Sequence, residues 1–221
     1  MHDIVIIGGH GKVALLTAPM LVEAGNTVTS IIRNPDHAAD IRETGATPKV
    51  ADIETMSTDD IAEMLSGHDT VIWAAGAGGG DPERTFAVDL DAAIRTINAS
   101  EEVSVTRFIM VSWSGSYLDH GIPEDSGFYP YAEAKAIADQ HLMDSELDWT
   151  VLGPSTLTDD PDSGGISVLP EGDGYTDATE VPRETVARTI LAALECPQSS
   201  GAVVRFNAGD TDPHDALRSV W

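Results

Sequence analysis

The sequence predicts an α/β fold: a doubly wound, mostly parallel sheet with helices on both faces. Three observations lead there. Short β-branched apolar runs alternate regularly with longer stretches of helical spacing. The first run, Asp3–Ile7, is continuously apolar after its aspartate and ends in glycines, the pattern of a strand buried on both faces. No linker interrupts the strand–helix order, so residues 1–221 read as one domain.

Residues 12–24 follow as a helix, with Ala14, Leu15, Ala18, Leu21 and Val22 at helical spacing and Gly25-Asn26 as its stop. Thr27–Ile32 is the second strand and 35–44 a short helix. Pro48–Asp52 is the third strand, and 57–66 a helix with a Ser/Thr-Asp start. Thr70–Ala75 is the fourth strand, 82–101 a longer helix and Val105–Ser112 the fifth strand. After a loop come a helix over 130–145 and a sixth strand, Trp149–Leu152. Residues 153–181, with five Gly and three Pro, read as loop with a short strand near Ile166–Leu169. A helix over 182–195 and a last strand, Ala202–Phe206, complete a Rossmann-type sheet of about seven strands. A smaller substrate-side lobe is expected from 113–130 and 153–181.

The charge is unusual. Twelve Lys and Arg stand against 37 Asp and Glu, a formal net charge of −25. Such a field repels a nucleic-acid duplex or an anionic membrane, so the expected partner is a small-molecule substrate, with a homo-oligomer left open. The acidity runs along the whole chain and reads as a solvated surface suited to a salty habitat or reflecting genome bias. The N-terminus carries no basic region or cleavage site, and no apolar run approaches the ~20 residues of a membrane span. With Cys196 as the one cysteine, a cytoplasmic protein is expected.

Gly8-Gly9-His10-Gly11-Lys12-Val13-Ala14 joins the first strand to the first helix. Glycines allow a tight turn and a close approach to a pyrophosphate, while the helix N-terminus presents free N–H groups; a small residue at 14 brings helix and strand together. The end of the second strand selects the cofactor. An acidic residue there would bind the ribose 2′-hydroxyl of NAD, but Arg33 stands in its place and suits a 2′-phosphate, with Lys12 beside the glycine turn as a helper. Asp36, three residues later, falls into the next helix. NADP is therefore favoured over NAD.

Further motifs close successive strands: Asp52-Ile53, Ala74-Ala75-Gly76, Ser112-Trp113-Ser114 and Gly153-Pro154-Ser155, with Tyr131-x-x-x-Lys135 opening a helix. Together they resemble the short-chain dehydrogenase/reductase superfamily, nearest its atypical branch of NmrA-like and flavin/biliverdin-reductase-like proteins. The resemblance implies roles. Asp52 and Ile53 would flank adenine, Ala74, Ala75 and Gly76 would line the ribose and pyrophosphate side, and Pro154, Ser155 and Thr156 would face the nicotinamide. Tyr131 would exchange the proton, Lys135 would hold a ribose hydroxyl and lower the tyrosine pKa, and Ser112, or alternatively Ser114, would hydrogen-bond the substrate oxygen. The chemistry agrees: tyrosine titrates near ~10 and needs a cation to act as a base, and residues four apart on a helix share a face. The implied activity is an NADP-dependent reduction of a small carbonyl, quinone or flavin-like acceptor. A redox-sensing regulator that binds NADP without catalysis is the alternative from another class. A nucleotide-sugar epimerase or dehydratase is the third, for which 221 residues look small.

Other chemistries lack their motifs. The seven histidines show no H-x-x-x-H spacing, no G-x-S-x-G elbow surrounds Ser112, and Gly8–Ala14 is not a P-loop. His120 reads as an exposed loop histidine, Ala77–Gly80 as a flexible turn, and Trp73, Trp113 and Trp149 as core or pocket wall.

Overall fold

The computed structural model describes residues 1–78, 80–170, 172 and 179–220. Gly79 of the glycine run, Trp221 and most of 171–178 in the expected substrate-side lobe lie outside the described residues.

The order of strands carries the architecture. β1 (Asp3–Ile7), β2 (Thr27–Ile32), β3 (Thr47–Val50), β4 (Thr70–Trp73), β5 (Arg107–Val111) and β6 (Asp148–Pro154) follow one another in the chain. After them come β7 (Thr156–Thr158), β8 (Gly165–Val168), β9 (Glu180–Pro182) and β10 (Ala202–Gly209). Eight of these form one sheet in the order β3-β2-β1-β4-β5-β6-β10-β8. Every neighbouring pair is parallel except β10 with β8, which is antiparallel. The eighth strand is the short run near Ile166, placed on the far edge. β7 and β9 make a separate parallel pair; at three residues each they are too short for periodicity to mark.

Among the described residues eight α-helices accompany the strands: α1 (Lys12–Glu23), α2 (Ala38–Glu43), α3 (Thr58–Leu65), α4 (Pro82–Thr85), α5 (Ala93–Glu102), α6 (Tyr129–Met143), α7 (Arg183–Glu195) and, after the last strand, α8 (Pro213–Arg218). Two differences from the sequence reading stand out. The expected helix over 82–101 is α4 and α5 joined by a π-helical stretch, Phe86–Ala92. α8 was not expected; it is a six-residue helix whose N-cap, Asp212, accepts the N–H of His214.

The period-2 alternation of β1 divides the core. Ile4 and Ile6 join a cluster with Ala18 and Leu21 of α1 and Val186 and Ile190 of α7. Val5 and Ile7 join the opposite cluster with Ile61 and Leu65 of α3 and Ile97 of α5. Both faces of β1 are thus covered, which explains its unbroken apolar run. Strand order reverses between β1 and β4, and a crevice opens there at the carboxyl ends of the strands. Among the described residues no helix is long and apolar enough to cross a membrane.

Candidate functional site

The turn after β1 is shaped first by packing. Gly8 has φ +84°, and a Cβ there would lie 2.5 Å from Ala75 Cα; a Cβ on Gly9 would lie 2.5 Å from Ser30 Cβ. These two glycines let the loop pass between the ends of β2 and β4. The N–H of Gly11 donates to Gly8 O at 2.8 Å, closing the turn. α1 then begins without a side-chain cap and without an acidic residue in its first turn. In contrast, Ser57 and Asp60 close α3 with a reciprocal capping box. In a chain this acidic, the start of α1 keeps its free N–H donors and partial positive charge.

A cleft of about 320 Å³ opens beside this helix end. It brings together Gly8, His10, Gly11, Arg33, Asp52, Ile53, Ala74, Ala75 and Gly76 from the sequence reading. The other five predicted cofactor residues, Lys12, Val13, Pro154, Ser155 and Thr156, lie outside its lining, and the first two need correction. Val13 is buried in the core, and Lys12 is engaged by a partner outside the lining. The Lys12 ammonium pairs with Asp159 at 2.7 Å, and Asp159 also pairs with Arg183 at 2.7 Å. Lys12 therefore ties α1 to the segment after β7 and does not reach the Arg33 end. Pro154 ends β6, Ser155 donates its N–H to Phe206 O, and Thr156 opens β7; none of the three lines this cleft. The Ser155 hydroxyl is buried without a hydrogen-bond partner.

Several lining residues carried no motif. Asn34 caps the 3₁₀ turn Pro35–His37 by accepting the N–H of Asp36, and Asp36 stays outside the lining. His37 stacks on His10 with ring centroids 3.6 Å apart, and His10 also meets Asp40 at 2.8 Å. Glu54 and Arg84 enter from the β3 and α4 sides. A scarce basic residue just after the glycine run was the available signal for Arg84. The lining fits a dinucleotide: it combines the glycine-turn backbone, two guanidinium groups and apolar wall from Ile31, Ile53 and Val88.

The expected catalytic trio sits where β5 meets α6, outside the cleft lining. The Ser112 hydroxyl donates to Asp139, as does that of Ser116. Lys135 is 1% exposed, and its Nζ donates to Val111 O at 2.9 Å and approaches Met110 Sδ at 3.8 Å. Asp89, on the π-helical stretch, accepts the N–H of Ala77 at 2.9 Å and thereby holds the loop after β4. Burial raises the Asp89 and Asp139 carboxyls above the ordinary range, with Lys135 opposing in both cases. The Tyr131 phenol is raised as well, by burial first and then by Asp89 and Asp139. This corrects the expectation that Lys135 lowers it. The lysine charge is engaged by two buried carboxylates and a carbonyl. Asp139 was legible in principle, since it lies four residues after Lys135 on the same helix face.

His120 is also not the exposed residue expected. Its side chain is 4% exposed, Nε2 meets Glu133 at 3.1 Å, and Nδ1 accepts the N–H of Ile122. It pins the loop before α6 to that helix. Trp113, Phe128 and Tyr131 form an aromatic group with centroids 5.0 to 6.3 Å apart.

Proteins with this strand order and a glycine turn at its reversal form the dinucleotide-binding class of Rossmann-type folds. Comparison with known proteins narrows the class. The sequence profile of the NAD(P)H-binding family matches residues 8–197, and the chain belongs to that family. A UPF0659 protein of Schizosaccharomyces pombe is 33% identical, over 98% of this chain and 94% of its own length. A solved Bacillus halodurans protein, assigned by name alone to the NAD-dependent epimerases/dehydratases, is 29% identical. It superimposes with a TM-score of 0.88 over 98% of this chain and 99% of its own. The oxidoreductase ylbE of Lactococcus lactis is 25% identical, with a TM-score of 0.86 over 99% and 96%.

Proposed function

We propose that the protein is an NADP-dependent oxidoreductase of the short-chain dehydrogenase/reductase type that reduces a small carbonyl, quinone or flavin-like acceptor. The observation that carries this reading is the cleft's charge arrangement. In a chain of net charge −25, its lining joins the glycine turn before an uncapped helix with no acidic residue in its first turn to Arg33 and Arg84. When bound, the dihydronicotinamide supplies a hydride.

The chain's own residues do the rest. The first-turn N–H groups of α1 and the backbone of Gly8–Gly11 receive the pyrophosphate. Arg33 meets the 2′-phosphate, Asp52 and Ile53 flank adenine, and Ala74–Gly76 line the ribose side. Pro154, Ser155 and Thr156 face the nicotinamide, with the unpartnered Ser155 hydroxyl as a ready hydrogen-bonding group. Ser112 orients the acceptor oxygen once it turns from Asp139. Tyr131, held in its protonated form by burial and two carboxylates, is the proton donor to the acceptor oxygen. A phenol raised in this way is a weak acid, which suits acceptors such as quinones or flavins whose rings take protons from water. The buried, unbridged Cys196 suits a cytoplasmic site of action.

The epimerase/dehydratase reading has one observation in its favour: the Bacillus halodurans structure of that name matches this chain over 99% of its own length, so small size is no objection. It requires a group that removes a hydroxyl proton, and Tyr131 is the candidate for that role too.

Calorimetric titration with NADPH and NADH tests the proposal. NADPH is expected to bind more tightly, and Arg33→Asp to weaken it by about tenfold or more. NADPH oxidation is then followed with menadione, FMN and simple aldehydes. Tyr131→Phe is expected to slow aldehyde reduction and to spare quinone and flavin reduction. Binding of neither nucleotide to folded protein overturns the reading. Tight binding without turnover of any acceptor favours the regulator.

A further inference from the structure

The NADP end of the cleft already holds an anion belonging to the protein itself. Glu54 Oε2 lies 3.5 Å from Arg33 Nη1 and 3.3 Å from Arg84 Nε. Two guanidinium groups from separate elements, the end of β2 and α4, converge on one carboxylate oxygen. Arg84 is anchored independently, its Nη1 donating to Ala77 O at 2.8 Å. The backbone carrying Glu54 is anchored too. Arg95 Nη2 donates to Glu54 O at 3.0 Å and to Ile53 O at 3.3 Å, and the Glu54 N–H donates to Asp52 Oδ1 at 3.2 Å. Arg84 and the 52–54 backbone are thus held in place, while the Arg33 and Glu54 side chains meet only at 3.5 Å at the solvent edge and can part. The Glu54 side chain is about a quarter exposed, so the exit lies open to solvent.

We infer that Glu54 is an internal competitor for the ribose 2′-phosphate: its carboxylate occupies the position between Arg33 and Arg84 that a phosphate monoester takes, and so sets the margin by which NADP is preferred over NAD. This rests on the dinucleotide reading of the cleft. The chemistry is ion exchange between two guanidinium groups, a monoanionic carboxylate giving way to a phosphate with more charge and three acceptor oxygens, able to bond both arginines together. A nucleotide without the 2′-phosphate leaves the internal pair intact and neither gains nor loses by it. Arg84 becomes a second specificity-determining residue beside Arg33.

The test is a set of calorimetric titrations on the full chain with four probes: NADPH, NADH, adenosine 2′,5′-bisphosphate and 5′-AMP. Glu54→Gln keeps the shape of the side chain and removes its charge. It is expected to tighten NADPH and the bisphosphate by about five- to tenfold, with NADH and AMP changed less than about twofold. Arg84→Ala is expected to weaken the two 2′-phosphorylated probes by a similar factor and leave the other two alone. Circular dichroism and thermal melts confirm that each variant is folded. An unchanged NADPH-to-NADH ratio in Glu54→Gln overturns the inference and leaves the dinucleotide reading standing. So does equal tightening of all four probes, which would mark a general loss of negative charge, and so does weaker NADPH binding, which would mark Glu54 as a support for the arginines. Failure of all four probes to bind wild type and variant alike overturns both.

Discussion

A methyl group at position 8 has no room. It would stand 2.5 Å from Ala75 Cα, on backbone whose φ of +84° already disfavours any side chain. Gly8→Ala is expected to cost about 2–3 kcal/mol of stability in urea denaturation. Gly127→Ala, with nothing within 4 Å of the added carbon, is expected to stay within about 0.5 kcal/mol of wild type. Equal effects would contradict the packing account. Asp139 offers a pH-dependent counterpart. Burial raises its carboxyl, so the folded state binds that proton more tightly than the unfolded chain. The resulting stability is fully present below the unfolded carboxyl value, near about 4, and is lost as pH rises through the raised folded value. Asp139→Asn keeps a polar group of similar shape that does not titrate. Urea midpoints are expected to fall less between about pH 4 and about pH 8 in the variant than in wild type. Parallel profiles would show that this carboxyl does not carry the effect; Asp89 is raised in the same direction and accounts for a remainder.

At the scale of elements, the sheet is fastened at the end away from the cleft by one half-buried cation. Arg107 opens β5 and donates to Asp148 O, Thr150 Oγ1, Ala193 O and Ser199 Oγ, joining β5, β6 and α7 with the turn beyond it. Burial lowers its guanidinium to about 10, with Asp148 opposing. Arg107→Met leaves several buried acceptors without their donor and is expected to lower stability by about 2–4 kcal/mol. Nucleotide affinity in the folded variant is expected to be unchanged; a loss there would mean that the two ends of the sheet are coupled. The π-helical stretch between α4 and α5 works near the cleft. It places Val88 in the lining and Asp89 on the Ala77 N–H, a local departure from regular helix beside the site.

For the whole molecule, charge is the governing quantity. A net −25 repels itself in the compact state, and the ion pairs are spread over the surface. Raising salt from about 0.02 M to about 0.5 M shortens the range of that repulsion, so the thermal midpoint is expected to rise. A flat or falling midpoint would mean that the surface ion pairs outweigh the repulsion. The same field makes the cationic end of the cleft locally exceptional, which is why Arg33 and Arg84 carry weight in the functional argument.

The sequence by itself determined the strand–helix order and the position of the glycine turn. β1 and β2 fall at their predicted residues because burial on both faces imposes an unbroken apolar run, and nine predicted residues meet in one cleft because strand ends converge in a parallel sheet. The tertiary structure alone decided partners across long separations. Local patterns cannot say that Lys12 finds Asp159, that Glu54 lies between Arg33 and Arg84, or that Lys135 meets Asp89 besides its helix neighbour Asp139. Nor can they say that His120 is buried against Glu133. Periodicity encodes which face of an element is buried. Which charges meet across that face, and hence what each group can do, depends on how the elements are set against one another in space.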